Sequence, residues 1–337
     1  MATPSLSIVP LSEMVHGQEA DLFVLMTSKE ELVTKNGKPY FKVGFRDTRR
    51  EVSVPIWDNS PWAVECRDAW TPGQFYKLRA VYRETPYGSQ LDIRKIREVT
   101  ETDAADGFDP NMCLAQSRFD PQQMFDQLLA IAREHIDNAD LEKLVETILT
   151  SNREALLRCP AARRNHHAYL SGLLEHTLSV TRTCLYLADK YAEYYPELEP
   201  PLNKGLVTAG AILHDIGKLR ELDQRPTETV ATPEGALIGH ILEGRDMVRE
   251  TAATLPIDPE TRLRLEHLII AHQRLPEWGS PKPPMTPEAL IVHHADDLDA
   301  KFHIMFAILR DDTSPGPLTS KNNILRQHVF RGLQSES

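Results

Sequence analysis

An apolar run, Ala209-Gly210-Ala211-Ile212-Leu213, ends in the pair His214-Asp215 and continues Ile216-Gly217-Lys218. Neighbouring side chains on a helix point about 100° apart, so an adjacent His and Asp seldom serve one function. A metal ion at the helix end is one situation that uses both. The imidazole supplies a nitrogen, and the carboxylate can bridge two ions through its two oxygens. Gly217 permits a tight exit, which places Lys218 to reach a phosphate near the metal. A His-Asp pair alone is a weak signal; its weight comes from His176 upstream and from His240, His267, His272 and Asp296 downstream. Helical side chains converging in a bundle core are a standard way to build dinuclear carboxylate/histidine sites. Nitrogen and oxygen donors without thiolate suit Mn, Fe, Co, Ni or Zn.

Such a site needs helices to hold it. Ten of the thirteen histidines lie between His166 and His303, and only His16 falls in the first hundred residues. His176 sits in a helical pattern that runs on to Tyr191, and His240 follows Gly239 at the start of another helix. Thr286-Pro287 opens a helix on which His293 and Asp296, three apart, share a face. His267 and His272 lie about 140° apart around one helix, which makes them poor candidates for the same ion. Further helices are announced by Asp120-Pro121-Gln122-Gln123 and by Ser151-Asn152-Arg153-Glu154, both read as capping boxes. Between them Leu141, Leu144, Val145 and Ile148 form a buried face.

The first hundred residues follow a different rule. Leu22–Leu25, Tyr40–Arg46, Glu51–Trp57, Gln74–Val81 and Leu91–Ile96 read as short strands. Asn36-Gly37-Lys38-Pro39 turns into the second strand, and Pro86-Tyr87-Gly88-Ser89 precedes the last. In Glu51–Trp57, Val52, Val54 and Ile56 fall on one face. Five strands with a short helix near Pro61–Asp68 suit a small Greek-key barrel of the OB type. Tyr40, Lys42, Arg46 and Trp57 are its candidate nucleic-acid-binding residues: rings to stack bases and cations to track phosphates.

Composition sets the bounds. With 41% hydrophobic and 26% charged residues the chain is globular. Cys66, Cys113, Cys159 and Cys184 form no Cys-x-x-Cys pair, which argues against a zinc ribbon or disulfide scaffold and fits a reducing compartment. Neither a signal peptide nor an apolar run long enough to span a bilayer is visible, so a cytoplasmic protein with no membrane partner is expected. The net charge of −11 is uneven, about +1 over residues 1–100 and −12 beyond. This balance neither supports nor excludes a nucleic-acid substrate. The expected organisation is multidomain: a small β-barrel (OB-fold) over 1–100, an acidic linker over 101–118, an all-α helical bundle over 119–310 and a loose tail over 311–337.

The order His176, His214-Asp215, His240, His272, Asp296 resembles the HD-domain superfamily of metal-dependent phosphohydrolases. The resemblance narrows to the YhaM-type 3′–5′ exoribonucleases, also called the CMP-binding-factor family. It is carried by His166-His167, Gly172-Leu173-Leu174-Glu175-His176-Thr177, His214-Asp215-Ile216-Gly217-Lys218, Glu277-Trp278-Gly279-Ser280-Pro281 and His293-His294-Ala295-Asp296-Asp297-Leu298-Asp299-Ala300. That family joins an OB-type domain to an HD domain in the same order. The chain departs from it at Ala271-His272-Gln273-Arg274, where the family has Ser-His-His-Gly. This bears on occupancy of a second metal position or on substrate preference.

The resemblance implies two divalent ions, Mn²⁺ first and Co²⁺, Fe²⁺, Ni²⁺, Zn²⁺ or Mg²⁺ as alternatives. His176, His214, Asp215 and Asp296 would hold one, and Asp215 would bridge to another held by His240 and His272. Such a pair activates a water and neutralises charge on the phosphate. Lys218 would steady a phosphate oxygen, and His167 would contact substrate or protonate the leaving 3′-oxygen. The implied activity is a metal-dependent phosphodiesterase, a 3′–5′ exonuclease on single-stranded RNA or also DNA, with the OB domain holding the strand. A homo-oligomer is compatible with this reading. The alternatives are an HD hydrolase of a small nucleotide or cyclic dinucleotide, and a non-catalytic nucleic-acid-binding protein.

Overall fold

The computed structural model describes residues 7–34, 36–85, 88–163, 167–224, 228–312 and 314–333. Pro86 and Tyr87 of the expected turn, His166 of the histidine pair and the terminal Ser-Glu-Ser lie outside these. The chain divides into two compact units, the first ending at Gln116 and the second starting at Ser117. No helix of the described residues is long and apolar enough to cross a membrane.

In the first unit an antiparallel sheet is ordered β3-β2-β1-β4-β5, from β1 (Glu19–Val33), β2 (Pro39–Arg46), β3 (Glu51–Trp57), β4 (Phe75–Thr85) and β5 (Gly88–Glu98). β1 is far longer than Leu22–Leu25, because it serves two partners. Its first half pairs β4 and its second half pairs β2, with an irregularity between Met26 and Ser28 where the strand bends. β3 comes alongside β5, which closes the sheet, and α1 (Ala63–Asp68) sits between β3 and β4. This is the OB strand order. Val52, Val54 and Ile56 of β3 point inward with Val43, Phe45, Tyr76 and Leu78, leaving the alternate residues outside.

The acidic stretch after β5, expected as a linker, instead packs on this barrel. Asp103 is buried and accepts from the Arg97 guanidinium, the Thr100 amide and Lys77. The Phe108 ring lies 5.1 Å from Phe23 and 5.4 Å from Phe75. Composition reads as solvated when the counter-charges sit on strands more distant in sequence.

The second unit is helical: α2 (Pro121–His135), α3 (Ala139–Ser151), α4 (Arg153–Leu156), α5 (Gly172–Tyr194), α6 (Lys204–Leu213), α7 (Lys218–Glu221), α8 (Pro233–Leu237), α9 (His240–Ala252), α10 (Pro259–Ala271) and α11 (Pro287–Asp311). A short hairpin of β6 (Leu222–Gln224) and β7 (Thr229–Ala231) intervenes. Asp120 and Thr286 cap α2 and α11 as their sequences suggest. Ser151 does not cap a helix: it ends α3, and Asn152 bonds back to the Ile148 carbonyl. α6 is buried along its length and packs against α5, α10 and α11, so its apolar sequence serves as the central rod. The segment after α11, expected to be loose, is tied by Asp312, which accepts from the Ser320 amide and pairs with Arg331; Val329 is buried.

Candidate metal centre

α6 stops at Leu213, and His214 and Asp215 form the turn that follows. Asp215 is buried, with its two oxygens facing different histidine pairs. Oδ2 lies 3.4 Å from the Nε2 atoms of both His176 (α5) and His214. Oδ1 lies 3.4 Å from Nε2 of His240 (α9) and 3.5 Å from Nε2 of His272, which follows α10. Asp296 of α11 joins the first pair, 3.1 Å from His176 Nε2 and 3.8 Å from His214 Nε2. The sequence order thus becomes two donor groups sharing one carboxylate.

Every imidazole in this set is oriented through its other nitrogen. His214 Nδ1 donates to the Ala211 carbonyl and His272 Nδ1 to the Ile269 carbonyl, each at 2.7 Å. His176 Nδ1 meets Asp299 Oδ2 at 2.7 Å, and His240 Nδ1 meets Glu221 Oε2 at 2.8 Å. An acceptor at Nδ1 fixes the proton there and leaves the Nε2 lone pair for the centre. His293 donates from Nδ1 to the His272 carbonyl at 2.7 Å, holding the turn that carries that ring.

These residues fit a cation. Asp215 Oδ1 and His272 Nε2 are buried without a hydrogen-bond partner among the described residues, which is costly unless something else satisfies them. Donor separations of 3.1–3.8 Å match the edges of a coordination shell with bonds of about 2.1 Å. His176, His214 and Asp215 could hold one ion, and Asp215, His240 and His272 another. Burial opposes charge on His176, but the carboxylates of Asp215, Asp296 and Asp299 outweigh it and raise its pKa well above the usual histidine value. Burial likewise opposes the Asp215 carboxylate, yet Lys218 and His214 hold its pKa well below the ordinary range. The same carboxylates would favour a cation at His176 Nε2 in place of that proton.

Two expectations gain detail. Lys218 is buried beside the centre, with its ammonium 2.5 Å from Asp215 Oδ2. Gly217 has an ordinary φ of −65°, and its need is for space: a Cβ there would lie 2.0 Å from the His240 carbonyl oxygen. His167 stands one step behind the centre. Its Nε2 lies 3.2 Å from Asp299 Oδ2 and its Nδ1 2.7 Å from the Tyr169 hydroxyl, which donates to Glu175. His267 accepts from the Met285 amide away from the set. Gln273 Nε2 sits 3.3 Å from His240 Nε2, and Arg274 holds a left-handed φ of 65° where the family has glycine. Asp299 and Glu221 were missed as site residues. Asp299 lies one helical turn beyond Asp296, on the same face, and that spacing was its available signal; no spacing links Glu221 to His240.

On the barrel, Tyr40, Lys42, Arg46 and Trp57 occupy the outward positions of β2 and β3. Tyr40 pairs with Trp57 in register, their rings 4.9 Å apart, and Trp57 is about half exposed. The structure brings these four to one face of the first unit.

The HD domain family model matches residues 173–301, and the TraI_2 model, described as a helicase, matches 110–220. Neither Gly37-Lys38 nor Gly217-Lys218 is followed by Ser or Thr, as a phosphate-binding P-loop would require. The second OB-fold domain of replication protein A from Methanococcus maripaludis matches with a TM-score of 0.22 and 12% identity, over 28% of this chain and 96% of that one. Fission yeast Pot1 with single-stranded DNA gives 0.23 and 12%, over 28% and 40%. At such scores the strand order, not these likenesses, carries the OB assignment. The 3′–5′ exoribonucleases YhaM of Listeria monocytogenes strains CLIP80459, F2365 and EGD-e are each 34% identical over 307 residues, 90% of this chain and 92% of theirs. Identity at that level, sustained along nearly all of both chains and across the segment that builds the metal centre, makes this chain a member of the YhaM family of 3′–5′ exoribonucleases.

Proposed function

We propose that this chain shortens single-stranded RNA from its 3′ end with the help of two divalent ions, Mn²⁺ first among the candidates. The observation that carries the reading is Asp215, whose two oxygens face two separate histidine pairs. His176, His214, Asp215 and Asp296 would hold one ion, and Asp215, His240 and His272 the other. When bound, such a pair supplies an activated water and neutralises charge developing on the scissile phosphate.

The chain's own residues do the positioning. Lys218 fixes Asp215 Oδ2, Asp299 and Glu221 fix the rings of His176 and His240, and His167 steadies Asp299. The outward rings of Tyr40 and Trp57, with Lys42 and Arg46, hold the strand by base stacking and phosphate contact. The relatives are exoribonucleases, which supports RNA as the polymer. Four buried, unpaired cysteines support a reducing, cytoplasmic setting.

The test is calorimetric titration of Mn²⁺ into the wild type and Asp215→Asn, with RNA shortening measured beside it. Two ions per chain in the wild type, with both binding and shortening lost in the variant, is the expected result. An Asp215→Asn protein that shortens RNA normally would remove the reading.

A further inference from the structure

A groove of about 860 Å³ runs between the start of α2 and the facing sides of α5 and α11, all within the helical unit. Its lining includes His167, Ser179 and Asp299, and Asp299 is hydrogen-bonded to His176 of the metal centre. The groove therefore comes within one side chain of His176, while no proposed metal ligand itself lines it.

Its walls carry rings and guanidinium groups. Phe302 is 71% exposed and Phe306 50%, one helical turn apart on α11, with Phe119 about half exposed opposite. Leaving three large rings in water near one another is unfavourable unless a partner covers them. Arg118 lies over the Phe119 ring at 4.8 Å, and Arg182 donates to Gln127. Neither arginine makes an ion pair among the described residues. The groove's acids, by contrast, are engaged. Asp299 accepts from His176 and Ser179, Glu175 from Tyr169 and Ser117, and Asp120 from the Gln123 amide. Exposed rings and unpaired guanidinium groups beside a phosphodiesterase centre match one polymer chemistry, in which planar bases alternate with phosphates.

We propose that this groove seats the 3′-terminal nucleotides of the strand, with bases against Phe302, Phe306 and Phe119 and phosphates on Arg118 and Arg182. The proposal rests on the exonuclease reading and adds to it the place where the reacting end is held. The volume suits one or two nucleotides, within the range of about 300–1,000 Å³ common for ligand sites.

The test uses full-length protein and RNA carrying 2-aminopurine either at the 3′ end or ten residues from it, with EDTA present so that the strand stays whole. Wild type is expected to change the fluorescence of the 3′-terminal probe far more than that of the internal one. Phe302→Ser and Phe306→Ser should each weaken that terminal signal about tenfold in the concentration required, as should Arg182→Gln. Phe302 is mostly exposed, so its replacement does not threaten folding. Equal responses from wild type and variants would overturn the proposal. So would an unchanged signal combined with a variant-induced shift in mass by light scattering, which would assign the face to contacts between copies. Adding Mn²⁺ to the wild-type mixture reads the exonuclease separately. A strand that shortens without a terminal signal counts against the groove, and one that keeps the signal but does not shorten counts against the exonuclease.

Discussion

Each ring nitrogen facing away from Asp215 has its own acceptor, and that is what turns four histidines into one donor set. The carbonyls of Ala211 and Ile269 come from each helix's own last turn, so His214 and His272 orient themselves locally. His176 and His240 depend on carboxylates from other elements, Asp299 and Glu221. Asp299→Asn is expected to weaken Mn²⁺ binding about 10- to 100-fold, measured by calorimetric titration, while the melting temperature stays within a few degrees. Gln273 marks where this chain departs from its family. Its amide lies against His240 Nε2, at the centre formed by Asp215 Oδ1. Gln273→His adds an imidazole there, and the Mn²⁺ concentration for half-maximal RNA shortening is expected to fall about tenfold. An unchanged metal requirement would show that residue 273 does not reach the ion.

Three helices deliver their donors from their ends, whereas Asp296 projects from the middle of α11. α6 delivers His214 and Asp215 from its C-terminal turn, α9 begins with His240, and α10 is followed by His272. Their convergence depends on close backbone contact at Gly217, which leaves no room for a methyl group beside the His240 carbonyl and the Gly244 amide. Gly217→Ala is expected to cost about 3 kcal/mol in urea unfolding and to raise the Mn²⁺ requirement by displacing His240. Gly172 has a similar role, since a Cβ there would lie 2.0 Å from the His167 carbonyl oxygen.

The His-Asp turn, the i,i+3 spacing around Asp296 and the alternation in β3 were legible in the sequence because each is a local pattern. Asp299 on His176 and Glu221 on His240 were not, because those contacts join elements through tertiary packing. The segment 101–110 failed for the same reason. Its acidic residues suggested solvent, whereas Arg97 and Lys77 supply charge from the strands.

The chain as a whole joins an OB barrel to an HD-type bundle. The barrel's stability leans on Asp103, which the Arg97 guanidinium keeps charged far below the usual carboxylate range. A depressed folded-state pKa stabilises the protein above the unfolded value of about 4, and that contribution is lost as pH falls through the folded value. Asp103→Asn is therefore expected to cost about 2 kcal/mol at pH 7. The difference from wild type should narrow steadily as denaturation is repeated below about pH 4. A constant difference across that range would assign the effect to packing instead.

Direction of attack is the property that most directly identifies a metal-dependent 3′–5′ exonuclease. It is read by incubating purified protein with 5′-labelled single-stranded RNA and Mn²⁺, with an EDTA control. The expected result is a ladder of labelled strands shortening progressively from the 3′ end, absent with EDTA. Immediate release of labelled mononucleotide, internal cuts, or a strand left whole in Mn²⁺ would each contradict a metal-dependent 3′–5′ exonuclease.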